Sequence, residues 1–221
     1  MKREIIVTKD GSTTIFFPEI NETYHSKFGA ILESKHVFID MGLRLFAQQK
    51  SVSILEMGFG TGLNALLTEI ESQKTAQTID YVGIEAHPVP LDEIVQMNFK
   101  ETLNNTANNV VFDLMHSCDW NVKNNLTDQF TLTKKQQFFQ EVNDVNAFDL
   151  IYFDAFGFRV EPELWSKEMF EKMHNALKVN GVLVTYACRS SIKNDMIALG
   201  FKIEKLPGAP GKREMLRATK V

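Results

Sequence analysis

Only two cysteines, Cys118 and Cys188, occur in the 221 residues, and neither belongs to a C-x-x-C pair. That scarcity excludes a disulfide scaffold and a zinc knuckle and fits a reduced, cytoplasmic setting. Nowhere do eighteen apolar residues run together, and the start MKREIIVTKDGSTTIFF carries no long apolar core before a small-residue cleavage site. A spanning helix and an export signal are therefore not expected, nor a membrane partner. Internal repeats and long Pro, Gly or Ser linkers are also missing, so 1–221 reads as a single domain, with a hairpin and helix extension over 1–50 and the main core over 51–221. The net charge of −4 argues against a protein that coats nucleic acid by bulk attraction. Basic charge is concentrated at the end, where Lys193 to Val221 holds seven basic against three acidic residues. A basic C-terminal face or an ordinary solvated surface would both produce that pattern.

Apolar residues make up 44% of the chain, enough for a sizeable core. Their spacing predicts a hairpin around Asp10-Gly11, a helix over 32–46 and buried strands over 52–57, 80–85, 110–115, 150–153 and 181–187. Helices are expected over 63–70, 91–103, 134–145, 164–177 and 191–199, and an antiparallel pair over 201–206 and 214–218. Strands alternating with helices make an open, mostly parallel α/β sheet with an antiparallel C-terminal edge.

Ligands in such sheets collect at the carboxyl ends of the strands. The strand over 52–57 runs into Glu56-Met57-Gly58-Phe59-Gly60-Thr61-Gly62-Leu63, a G-x-G-x-G turn that leads directly into a helix. A dinucleotide fingerprint needs its last glycine where Leu63 stands, which disfavours a nicotinamide enzyme. The observed spacing behind Glu56 resembles the loop with which Rossmann-like class I methyltransferases hold S-adenosylmethionine. Glu85, at the next strand end, could accept from ribose hydroxyls or cap a turn. Asp119, read as following the third strand, could accept from an adenine amino group or cap a helix.

The fourth strand end, DLIYFDAFGFRVEPELW, places Asp154 among Phe153, Phe156 and Phe158. There Asp154 could align an attacking amine and take up a proton. Phe156 and Phe158, with Tyr24 and His25 of YHS, are candidates to border a pocket for an unstacked base, although any one Phe in this chain could equally be packing. Trp165 reads as core, and no second ligand stands at metal spacing from His25. Arg159, Lys212 and Arg213 are candidate phosphate contacts or solvated charges.

ETYHSKFGAILESKHVF, LEMGFGTGLNALL, IEAHP, FDAF followed by PELW, and GKREML, in that order, resemble the methyltransferase domain of the MnmC family, from about Glu22 to Ala218. The resemblance implies methyl transfer from S-adenosylmethionine to the exocyclic amine of a 5-aminomethyl-type wobble uridine in tRNA. With no second domain before Val221, it implies the standalone form, the amine being exposed by a separate enzyme. The chain departs from the family at Gly157 to Glu161, where a first proline and a Lys-Asn pair are replaced. A class I methyltransferase or aminopropyltransferase-like enzyme acting on a small amine is the alternative, and a non-catalytic cofactor-binding partner protein a second.

Overall fold

The computed structural model describes the backbone of residues 2–103 and 106–221. β1 (Glu4–Val7), β2 (Thr13–Phe17) and β3 (Glu22–Thr23) form a small antiparallel sheet, with Ile5 opposite Ile15 across the expected hairpin. The helix expected over 32–46 is broken in three: α1 (Ala30–Ser34), a wider π-helical segment Lys35–Asp40 and a 3₁₀ turn Leu43–Phe46. Val37, Phe38 and Ile39 are all buried in the π segment, a run of three inward side chains that a regular α-helix would splay over most of a turn.

The main sheet begins with β4 (Ser51–Met57), α2 (Leu63–Thr75) and β5 (Thr78–Ile84). α3 (Leu91–Ile94) and α4 (Phe99–Leu103) replace the single helix expected over 91–103, and α5 (Thr106–Ser117) follows. Next come β6 (Lys123–Asn125), β7 (Phe130–Lys135), β8 (Phe148–Phe153), α6 (Lys167–Ala176), β9 (Leu177–Thr185), α7 (Ser190–Ala198), β10 (Phe201–Pro207) and β11 (Glu214–Lys220). The eight strands lie in the order β10-β11-β9-β8-β4-β5-β7-β6. β7, β5, β4, β8 and β9 are parallel, and the β10–β11 hairpin closes one edge antiparallel to β9. Among the described residues, no helix is long and apolar enough to cross a membrane.

Two expectations fail on the same stretch. The segment 110–115 is helix, not strand: Val111, Phe112 and Met115 are buried while Val110 and Leu114 are exposed, a spacing of one helical face. The third parallel strand is instead β7, and the helix expected over 134–145 is absent. β7 alternates strictly, Phe130, Leu132 and Lys134 inward, with polar neighbours outward. Lys134 disguises the pattern; its stem is buried, its Nζ lies 4.8 Å over the Trp120 ring, and it donates to His116 O at 3.3 Å.

Alternation along β4 and β8 divides the core between the two faces of the sheet. Ile54, Leu150 and Tyr152 pack on the side of α2 and α5, and Leu55, Ile151 and Phe153 on the side of α6. Strand order reverses between β4 and β8, so Met57 and Phe153 end side by side and open a crevice at the switch point.

Candidate active site

The crevice is a cavity of about 760 Å³. Its floor is Gly58 to Gly60 of the glycine turn. Gly58 has φ +98°, and a Cβ there would stand 2.7 Å from the Asp154 carbonyl oxygen, so only glycine lets the turn lie against the end of β8. Gly60 has φ +49° and passes under the Tyr24 ring, 3.0 Å from where a Cβ would be. Gly60 N–H also donates to Glu85 Oε2 at 3.0 Å, while Glu85 Oε1 accepts from His87 N–H at 2.9 Å. Glu85 is thus held at the cavity wall by backbone donors. The turn is braced from outside by a 2.8 Å hydrogen bond between His25 Nε2 and Thr61 Oγ1. Burial drives the His25 pKa down to about 4, so the ring is neutral at physiological pH.

Asp154 stands opposite, half-buried on the cavity wall. Its Oδ2 accepts from Asn64 Nδ2 at 2.9 Å, and the same amide donates to Glu56 Oε1 at 2.8 Å. Glu56 is fully buried beneath the turn and does not line the cavity; burial holds its carboxyl well above the usual range. Burial, with the nearby Glu33 charge, lifts Asp154 to about 7 against the opposing hydrogen bond from Asn64 and the Lys212 charge. The result is a carboxyl that changes charge near neutrality, a far stronger proton acceptor than an ordinary aspartate.

Aromatic rings form the remaining wall. Tyr24 stacks on Phe17 with centroids 5.6 Å apart, and Phe156 meets both edge to face at 5.2 and 5.7 Å. Trp165, buried as expected, donates Nε1–H to Phe156 O at 2.7 Å and so fixes the segment after β8.

The structure thus brings together Gly58, Gly60, Glu85, Asp154, Tyr24, His25, Phe156 and Lys212. It places others elsewhere. Asp119 is exposed in the loop after α5 and not at a strand end, because the strand it was assigned to is a helix; the third strand end is followed instead by Gln136. Phe158 lies outside the cavity under the Arg189 guanidinium, 4.0 Å away. Gly62 caps α2 behind the turn. Arg159 is turned toward β3, donating to Ile20 O at 2.9 Å, and Arg213 is exposed on the β10–β11 turn. Lys212 is consumed internally: Nζ pairs with Glu33 Oε1 at 2.7 Å and sits 3.5 Å above the Tyr186 ring.

Glu33, Asn64 and Tyr186 are site residues that sequence reasoning missed. Only Asn64 left a signal, an amide within the otherwise apolar first turn of α2.

A glycine turn after the first strand, an acid at the end of the second and a carboxyl beside the turn define the class I S-adenosylmethionine-dependent methyltransferase architecture. The residues fit that cofactor: Gly58 and Gly60 line the cavity with bare backbone, and Glu85 faces it with carboxylate oxygens able to accept hydrogen bonds. A family profile described as S-adenosyl-L-methionine-dependent methyltransferase matches residues 93–221, and the chain belongs to that family.

Among individual proteins, the chain is 29% identical over 229 residues to the tRNA 5-methylaminomethyl-2-thiouridine biosynthesis bifunctional protein MnmC of Leptospira interrogans, covering 96% of this chain and 34% of that protein. It is 26% identical to the protein of the same name from Cupriavidus metallidurans, over 96% and 33% of the two. The chain therefore spans about a third of the length of these relatives. The crystal structure of MNMC2 from Aquifex aeolicus superposes with a TM-score of 0.79 at 21% identity, covering 98% of this chain and 69% of that one. Spermidine synthase from Thermotoga maritima superposes at 0.60 and 13% identity, over 100% and 72%. At such identities these two likenesses concern the fold.

Proposed function

We propose that this protein methylates the exocyclic amine of a 5-aminomethyl-type wobble uridine in tRNA, in the cytoplasm, with Asp154 receiving the amine. The observation that carries the reading is Asp154 itself, a carboxyl lifted to about 7 beside the methyl-donor turn and below the Tyr24, Phe17 and Phe156 rings. The names borne by its relatives, which specify 5-methylaminomethyl-2-thiouridine biosynthesis, supply the substrate class.

Gly58, Gly60 and Glu85 would hold S-adenosylmethionine, which supplies an electrophilic methyl group when bound. The substrate amine arrives largely protonated, and Asp154 in its ionised form accepts a hydrogen bond and then the proton from it. Asn64, donating to Oδ2, fixes the carboxyl plane so that Oδ1 is left for the amine. The ring wall excludes water and offers faces on which an unstacked pyrimidine rests. A preceding step must expose the amine.

Glu22, Glu33 and Glu161 also border the cavity, against Arg3 and Lys212, and this acidic lining suits any cationic amine. It therefore favours, as a second reading, a small free amine. Incubating the protein and S-adenosylmethionine with tRNA from cells lacking the wobble methyl group, in competition with polyamines, separates the two by nucleoside mass analysis. The proposal expects one added methyl on the wobble uridine; modified polyamines with unchanged tRNA would defeat it.

A further inference from the structure

The cations that the sequence offered for RNA are mostly engaged inside the protein. Lys212 pairs with Glu33, Lys205 with Glu214 and Arg217 with Glu204, while Lys220 donates to Leu177 O. Arg159 is held by Ile20 O. The basic C-terminal face of the sequence is thus largely spent on closing the sheet edge.

A different set remains free, and it is contiguous. The Lys9 N–H donates to Lys27 O at 3.0 Å, which ties the β1–β2 turn to the segment just beyond the cavity-lining Ser26. Lys9 Nζ lies 4.4 Å over the Phe28 ring, and Lys27 Nζ lies 4.2 Å over Phe16. Phe28 is 45% exposed, and its far edge abuts Gly211, where a Cβ would come within 2.4 Å of the ring. Two residues on is the exposed Arg213, next to the cavity-lining Lys212. Cys188 Sγ reaches Glu214 at 3.6 Å, so Arg189, on its Phe158 ring, and Arg213 are each one residue from that contact. The carboxylates in this neighbourhood are already occupied: Asp10 by Ser12 and the Leu32 N–H, Glu33 by Lys212, and Glu214 by Lys205. Among the described residues, Lys9, Lys27, Arg189 and Arg213 have no acidic partner.

Resting on the tRNA reading above, we propose that this ridge, running from Lys9 and Lys27 across Phe28 to Arg213 and Arg189, is the docking surface for the single-stranded RNA that flanks the target nucleotide. Two features match a loop strand and fit a folded protein partner poorly. Cations without an acidic partner, three of them with their charged ends already steadied on an aromatic ring, can meet a backbone at little further entropic cost, and the half-exposed Phe28 offers a neighbouring base the ring surface that Lys9 leaves uncovered. The ridge begins at Ser26 and Lys212 on the cavity wall, so a strand lying along it can lower one nucleotide into the cavity toward Asp154. It also explains how a protein of net charge −4 engages RNA: by a local row of cations and not by its overall field.

The test measures binding of an anticodon stem-loop RNA at a series of salt concentrations, together with KM for the same RNA in methyl transfer. The double variant Lys27→Ala/Arg213→Ala is compared with Lys123→Ala, whose lysine pairs with Asp80 on the opposite sheet edge. Removing two single-strand phosphate contacts is expected to reduce the log–log salt slope by about 1.4 and to raise KM at least tenfold at physiological salt. S-adenosylmethionine affinity, measured calorimetrically, stays unchanged, and Lys123→Ala behaves as the wild type. Phe28→Ala is expected to weaken binding without altering the slope. Should the wild type bind and methylate the stem-loop while the double variant keeps its slope and KM, the ridge is wrong. Should the wild type neither bind nor methylate it, the tRNA reading itself is wrong and the ridge falls with it.

Discussion

At the scale of single residues, Asp154 is where fold and chemistry meet. Its pKa is raised, so the folded protein retains a proton that the unfolded chain releases above about 3.8. Ionisation therefore costs stability progressively as pH climbs from about 4 to about 7, whereas the form that the proposed reaction uses is the ionised one. Two outcomes follow. In kinetic assays, kcat/KM should rise with pH through an inflection near 7, and Asp154→Asn should lose that inflection along with roughly 10²- to 10⁴-fold of the rate. In thermal unfolding, the same variant should gain more Tm over the wild type at pH 8 than at pH 5, a stability gain in exchange for function. The neighbouring charges give a sharper check. Lys212→Met removes a positive charge that favours ionised Asp154 and should move the inflection upward; Glu33→Gln removes a negative one and should move it downward. The other groups facing Asp154, namely Glu56 from β4, Asn64 from α2 and Tyr186 beyond β9, are intact in both variants. Opposite shifts are expected, and equal or absent shifts would show that the ion pair acts only as a structural tie. Asp154 and Glu85 were legible in the sequence because each follows an apolar run that could only be a buried strand. Glu33 and Tyr186 were not, because each reaches the cavity from an element distant in sequence and within an unremarkable local pattern.

At the scale of elements, the glycine turn shows how local sequence fixes function. Ala at Gly58 would meet both a left-handed φ and the Asp154 carbonyl at 2.7 Å. Gly58→Ala is expected to lose about 1–3 kcal/mol of stability and at least tenfold in S-adenosylmethionine affinity, as read by chemical denaturation and calorimetry. Unchanged values would mean that the turn does not approach β8 so closely. The exchange of strand and helix between 106 and 135 has a physical cause. VVFDLM contains enough β-branched and aromatic residues to resemble a strand, but packing on α2 selects its helical face. FTLTKK, by contrast, conceals an inward position behind a lysine whose stem is apolar. Asp119 followed that error, since its proposed role depended on standing at a strand end.

At the scale of the whole molecule, the order of strands was recoverable only in outline. Alternating elements implied a parallel sheet with an antiparallel edge, as found, yet the N-terminal sheet's part in the site was less plain. With Phe17 from β2 and with Tyr24 and His25 just past β3, the N-terminal region roofs the crevice that the main sheet opens between β4 and β8. The glycine turn, the Asp154 carboxyl and the aromatic wall thus come from three separate parts of the fold, and the proposed nucleoside-amine substrate rests on their joint presence. The most direct measurement is nucleoside mass analysis of undermodified tRNA after incubation with S-adenosylmethionine and either the wild type or Asp154→Asn, with cofactor affinity measured in parallel. A single methyl on the wobble uridine amine from the wild type is predicted, with at least a hundredfold less from the variant at nearly equal cofactor affinity. Equal methylation by the two proteins, or no methyl at the wobble position, would contradict the account.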